Sequence, residues 1–229
     1  MHASIIVFPG SNCDRDIKVA LTASMNHEPE MIWHDSNDLP KTDLIVLPGG
    51  FSYGDYLRSG AMAAHSPIMR EVCKAANRGT PILAICNGFQ VATEAGLLPG
   101  VLIRNASLRF ICQDVWLKPN PKSSVFTSMY NDGDLVKMPI AHHDGNYFVD
   151  KTELDILKSN DQIAFQYCSS DGLLVEESNP NGSIENIAGV LNKEKNVLGM
   201  MPHPERMADL ALGGIDGKIM FDGLISTLN

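Results

Sequence analysis

The 229-residue sequence predicts one α/β domain, spanning residues 1–229, on a mixed, mostly parallel central sheet with helices on both faces. Three observations carry that reading. Short runs in the first half are apolar at nearly every position, as strands buried on both faces must be. Stretches with apolar residues three and four apart separate them, the mark of crossover helices in a parallel sheet. Glycine and proline gather where apolar runs end, at Pro9-Gly10 and Pro48-Gly49-Gly50.

In order, residues 4–8 read as a strand and Asp14–Met25 as a helix with Ile17, Ala20, Leu21 and Ser24 on one face. Residues 31–33 and Leu44–Leu47 are the next strands. Residues 61–77 read as one helix, with Ala61, Ala64, Ile68, Val72 and Ala76 at helical spacing and Gly79 at its stop. Ile82–Ile85 is a strand and residues 88–95 a helix. The second half is richer in strands: 101–104, 110–117, 136–141, 146–149, 163–167, Ile187–Leu191 and Val197–Met200. Turn residues separate them at 131–133, Asp171-Gly172 and Asn181-Gly182. Residues 150–161 read as a solvated helix and loop, and Lys218–Leu228 closes the chain as an apolar-faced helix. An open α/β sheet binds its ligand at the carboxyl ends of its strands, so chemistry is expected after Phe8, Leu47 and Ile85.

Composition narrows the function. Hydrophobic residues at 44% and charged residues at 20% suit a packed core rather than a disordered chain. A net charge of −9 argues against a protein that grips nucleic acid or an anionic membrane. No apolar run reaches bilayer length, and residues 1–8 are too short for the apolar core of a signal peptide. Five cysteines, at 13, 73, 86, 112 and 168, form no Cys-x-x-Cys pair. An odd, sparse set fits free thiols in a reducing, cytoplasmic setting better than disulfides or structural zinc.

Cys86 follows a buried strand and precedes a helix, flanked two residues away by the small Ala84 and Gly88. That is the logic of a nucleophile elbow, and the positive end of the helix dipole favours a thiolate there. The Asn87 amide is placed to stabilise an oxyanion. Read alone, a cysteine there is more often just a small apolar residue at a strand end. Met201-Pro202-His203-Pro204-Glu205-Arg206 follows the last strand. The prolines predict an extended segment, in which His203 and Glu205 share a side, so that Glu205 orients His203 as base and acid for Cys86. The plainer alternative is a surface His beside an exposed Glu. Gly50, in the tandem glycines, offers a second oxyanion donor or forms an ordinary turn.

These segments resemble the class I glutamine amidotransferases, which use a Cys-His-Glu triad. The family pattern Gly-x-Cys-x-Gly-x-Gln reads here Ala84-Ile85-Cys86-Asn87-Gly88-Phe89-Gln90, departing only at Ala84, and His203-Pro204-Glu205 matches outright. The resemblance implies a flavodoxin-like sheet, catalytic Cys86, His203 and Glu205, an oxyanion hole from Gly50 and Asn87, and substrate contacts from Gln90, Arg109 and Phe110. Pro48 to Ala61, Phe8 to Asp14, Arg104-Asn105, Pro139 to His142 and Gly145 to Tyr147 are similar to the glutaminases of purine biosynthesis, although relatives commonly carry Gly-Glu at His143-Asp144. That similarity implies L-glutamine as substrate, no cofactor on this chain, and two partners. A large synthetase subunit would use ATP and magnesium to convert formylglycinamide ribonucleotide to its amidine, and a small subunit would bridge. The chain shows no Gly-x-x-x-x-Gly-Lys-Ser/Thr loop, which agrees with nucleotide sites on a partner.

Other residues stay open. Gln90, one turn after Cys86, faces either substrate or solvent. Arg104 and Arg109 suit a carboxylate or simply solvent. Asn12, Asp14, Tyr53 and Asp55 lie on loops at strand ends. His142 and His143 point to opposite faces of a strand, which disfavours a shared metal. Cys13, Cys73, Cys112 and Cys168 read as structural thiols. The rival functions are a glutaminase feeding another synthetase, a catalytically silent subunit on the same fold, and a cysteine hydrolase such as a peptidase. The last should lack Gln90 and the His-Pro-Glu run.

Overall fold

The computed structural model describes residues 1–121 and 124–228. Its elements are β1 (Ala3–Val7), α1 (Asp14–Met25), β2 (Glu30–Trp33), β3 (Leu44–Leu47), α2 (Ala61–Ala64), α3 (Pro67–Asn77), β4 (Ile82–Ile85), α4 (Asn87–Glu94), β5 (Val101–Ile103), β6 (Ile111–Pro119), β7 (Val136–His142), β8 (Asn146–Phe148), α5 (Lys151–Ser159), β9 (Ile163–Cys168), β10 (Ile187–Leu191), β11 (Val197–Met200) and α6 (Lys218–Leu228).

Among the described residues, nine strands form one sheet in the order β2-β1-β3-β4-β11-β10-β9-β6-β7. The first five are mutually parallel. From β11 outward every pairing is antiparallel, so β10 and β6 run against the other strands. β5 and β8 pair separately. The connection through α1 steps one way along the sheet and that through α3 the other, so right-handed crossovers put these helices on opposite faces.

Burial explains the sheet. Every residue of β3, β4, β10 and β11 is buried, as apolar runs between two helical layers require. Each fully buried aliphatic side chain there contributes about 1.5–3 kcal/mol. α1 opens with Asp14 and Asp16 in its first turn, matched to the helix dipole, and stops at Asn26 in the left-handed region. α5 is capped by Asp150, whose side chain accepts the Glu153 N–H at 2.8 Å, and it buries Leu154 and Leu157.

Two local expectations need correction. Residues 61–77 are two helices: Pro67 has no N–H to donate backward and its ring clashes in a helix interior, so the chain breaks at His65-Ser66 and restarts with Pro67 in the first turn. Residues 204–207 are not extended but form a 3-10 turn, Pro204–Met207, which Pro204 opens and His203 caps. Among the described residues, no helix is long and apolar enough to cross a membrane.

Candidate active site

The carboxyl ends of β1, β3, β4 and β11 converge, and each delivers a part. β4 delivers Cys86 at φ 50°, ψ −106°, a conformation that strains a residue with a Cβ. The bend is held from both sides. Cys86 N–H donates to Met200 C=O at 2.7 Å, and Gln90 N–H to Cys86 C=O at 3.1 Å. The sulfur is buried, and its S–H points to Ala141 C=O at 3.7 Å.

β11 leads into His203, whose N–H is anchored on Pro139 C=O at 2.9 Å. Its Nδ1 lies 2.6 Å from Glu205 Oε1, and both side chains are buried. The 3-10 turn, rather than an extended strand, brings the carboxylate back under the ring. Nδ1–H donates to the carboxylate, so in the neutral ring the lone pair lies on Nε2, which is buried with no hydrogen-bond partner. Burial works to lower the imidazole's pKa. Glu205, then the charge of Cys86, then the nearness of the Cys13 and Cys86 sulfurs overcome it and raise the pKa well above the usual histidine value. Gly49 separates ring and thiol: a Cβ there would stand 2.7 Å from His203 Cε1 and 3.4 Å from Cys86 Cβ.

β3 delivers Gly50 at φ 137°, bridged to Ser11, where a Cβ would meet Asn12 N at 2.7 Å. Asn87 N–H belongs to the open first turn of α4, the usual place of an anion-binding amide. The Asn87 side chain ties the loop after β3 to the start of α4. Its Oδ1 accepts Ser52 N–H at 3.1 Å, and its Nδ2 donates to Gln90 Oε1 at 2.8 Å and Asp55 Oδ1 at 3.3 Å.

Gln90 is buried and faces inward, its Nε2 donating to Asp144 C=O at 2.7 Å. Asp144 in turn accepts from Ser59 Oγ at 3.0 Å and pairs with Arg104 at 2.8 Å. Burial, then the charge of Asp144, pushes Asp55 up to about 6. The structure does not bring the Arg109 side chain into this network. Arg109 is exposed, and its tie is its backbone C=O, which accepts from Asn105 Nδ2 at 2.8 Å. Phe110, exposed, packs edge-on against His143 with ring centroids 5.4 Å apart. His142 and His143 do face different surroundings. His142 is buried, with Nδ1 on Asn105 Oδ1 at 3.0 Å. Asn105 Oδ1 also accepts Gly145 N–H, so His142 is the Nδ1–H tautomer.

One residue at the site was read otherwise from sequence. Cys13, expected as a structural thiol, is buried beside the dyad. Its S–H donates to Asn12 Oδ1 at 3.2 Å, and its sulfur accepts from Arg206 Nη2 at 3.2 Å. Its place in the β1–α1 connection, where ligand chemistry was expected, was the available signal.

A strained cysteine at a strand–helix bend, a buried imidazole–carboxylate couple and amides around them suit acyl transfer from an amide. Residues 1–213 match the family model of the CobB/CobQ-like glutamine amidotransferase domain, and the chain belongs to that family. Over its full length it is 53% identical, across 230 residues, to all of phosphoribosylformylglycinamidine synthase subunit PurQ of Rhodospirillum rubrum. It is 54% identical over 230 residues to all of the subunit of the same name in Pelagibacter ubique. Among solved structures it is similar to PurLQS from Thermotoga maritima, with TM-score 0.87 and 42% identity, covering 100% of this chain and 99% of that one. A glutamine amidotransferase from Thermotoga maritima shares the fold at TM-score 0.56 and 15% identity, covering 90% of this chain and 76% of that one.

Proposed function

We propose that this chain, a single amidotransferase domain over residues 1–229, is the glutaminase subunit of phosphoribosylformylglycinamidine synthase. The observation that carries the chemistry is the buried His203–Glu205 couple at 2.6 Å, with Nε2 unpartnered beside Cys86. It also disfavours a silent subunit, in which no catalytic demand would keep this unpaired nitrogen buried. Full-length relatedness to PurQ subunits favours this synthase over another acceptor.

Cys86 gives its proton to His203 Nε2 and its sulfur attacks the side-chain carbonyl carbon of L-glutamine. The oxyanion is held by the N–H groups of Gly50 and Asn87. His203 returns the proton to the departing nitrogen, leaving ammonia and a glutamyl thioester. It then takes a proton from water, which attacks the thioester and releases glutamate. Glu205 fixes the Nδ1–H tautomer throughout and stabilises the imidazolium. Gln90 lies in the glutamine pocket, with Phe110 at its rim. Arg109 would have to act from the rim as well.

Ammonia passes shielded from water to the large synthetase subunit, where ATP and magnesium are used, with the small subunit bridging. This chain carries no cofactor and no resident catalytic metal, and it binds neither nucleic acid nor membrane. Five free cysteines support a cytoplasmic setting. In the assembled synthase, Cys86→Ala should abolish glutamine-dependent synthesis and spare synthesis driven by added ammonium. Glutamine turnover that survives in this variant refutes the nucleophile.

A further inference from the structure

We propose that Cys13, His203 and Glu205 form a site for a thiophilic divalent cation of the zinc and cadmium class, and that a cation held there silences the glutaminase. One ligand atom from each residue lies within 4.8 Å of the others, and all three residues are buried. A thiolate, an imidazole nitrogen and a carboxylate oxygen suit zinc-like ions, not magnesium or calcium, which take oxygen alone. Tetrahedral zinc sets such atoms about 3.3–3.6 Å apart, so contacts near the 4.8 Å limit need to close, and the 2.6 Å His203 Nδ1–Glu205 contact to open, by on the order of 1 Å.

A second observation is independent of that spacing. His203 Nε2 and Glu205 Oε2 are buried without hydrogen-bond partners, so donor capacity stands unused on two of the three residues. Gly49 keeps the gap open: a Cβ there would lie 2.7 Å from His203 Cε1 and 3.2 Å from Cys13 Sγ. Arg206 Nη2, 3.2 Å from the sulfur, opposes a cation, and Asp16 shares its charge at 3.2 Å. Binding releases the Cys13 thiol proton to solvent. A cation on Nε2 removes the lone pair that Cys86 needs. A cation on Nδ1 displaces the proton that Glu205 holds. Either ends general-base catalysis.

The silencing half rests on the triad reading, whereas the binding half does not. Cobalt(II) is added to the full chain carrying Cys86→Ala, which removes the nucleophile as a ligand. A thiolate-to-cobalt charge-transfer band should appear, and it should vanish in Cys13→Ala/Cys86→Ala. Cys13→Ser repeats that arm with a residue of similar size, and circular dichroism confirms folding. With Cys86 intact, Cys13→Ala should raise the zinc concentration for half-inhibition about 10–100-fold, each protein being normalised to its own zinc-free rate. A band that persists without Cys13, no band at all, or equal zinc sensitivity overturns the site. A Cys13-dependent band without inhibition overturns the silencing. Retained glutamine hydrolysis in Cys86→Ala refutes the triad and leaves the band result standing.

Discussion

His203 holds its proton more tightly than an ordinary imidazole even though burial, the largest single influence, works the other way; Glu205 and then Cys86 reverse it. Glu205→Gln keeps an oxygen for the 2.6 Å bond and removes the charge. The imidazole should then titrate at lower pH by NMR, and glutaminase turnover should fall on the order of a hundredfold or more. Stability follows with a definite sign. A raised histidine pKa adds stability that is full below the unfolded value of about 6.5 and is lost as pH climbs through the folded value. The variant's deficit in thermal midpoint should therefore be larger near pH 6 than near pH 9, by roughly the span those values set. A deficit that grows with pH contradicts the assignment. This couple was legible in the sequence because its members are two positions apart, although the local geometry was not. The prolines start a 3-10 turn instead of an extended segment, since Pro204 fits the first helical position as readily as a strand.

The turn from β4 into α4 admits no side chain at Gly88, because a Cβ there would strike the Leu47 carbonyl. Gly88→Ala should thus lift α4 off β3, losing about 1–3 kcal/mol or more in chemical denaturation together with the oxyanion geometry. Wild-type stability would show the packing to be looser than described. The adjoining loop, residues 51–60, is strained in its backbone instead. Tyr53, Asp55 and Leu57 have φ of 54°, 55° and 69°. Such angles cost about 1–2 kcal/mol per residue in the left-handed region, and Asn87 is among the groups that hold the loop down. Asp55 adds an electrostatic burden. Burial first, then Asp144, raises it from 3.8 to about 6, so between those values the folded protein binds more protons than the unfolded chain. Stability from this group is therefore full below the lower value and lost as pH rises to the upper. Asp55→Asn should raise the thermal midpoint near pH 7.5, the gain fading toward about pH 5. A gain that is the same at both conditions would exclude Asp55 as its source.

Across the molecule, the order of strands assembles the site. β1, β3, β4 and β11 are distant in sequence yet adjacent in the sheet, and their ends carry Cys13, Gly50, Cys86 and His203. Apolar runs made the strands legible, and the strand-end rule located the chemistry. No spacing in the chain states that β11 lies beside β4, so Cys13 looked structural and the Cys86–His203 meeting rested on resemblance. Arg109 shows a related gap: residue type does not report whether a guanidinium or a backbone carbonyl meets the Asn105 network. The same assembly explains why the isolated chain should be a poor glutaminase. Its thiol rests against the Ala141 carbonyl at 3.7 Å, and the strained loop beside Gly50 and Asn87 exposes Phe51 at 43%, Tyr56 at 74% and Leu57 at 92%. Covering those side chains offsets the loop's strain and shifts the population toward the reactive arrangement. Adding the synthetase subunits should raise glutamine kcat by tenfold or so, and Leu57→Ser should weaken that activation while leaving the chain's own slow rate in place. Full turnover by the purified chain alone, unchanged by the synthetase, would show that the loop is already set without a partner.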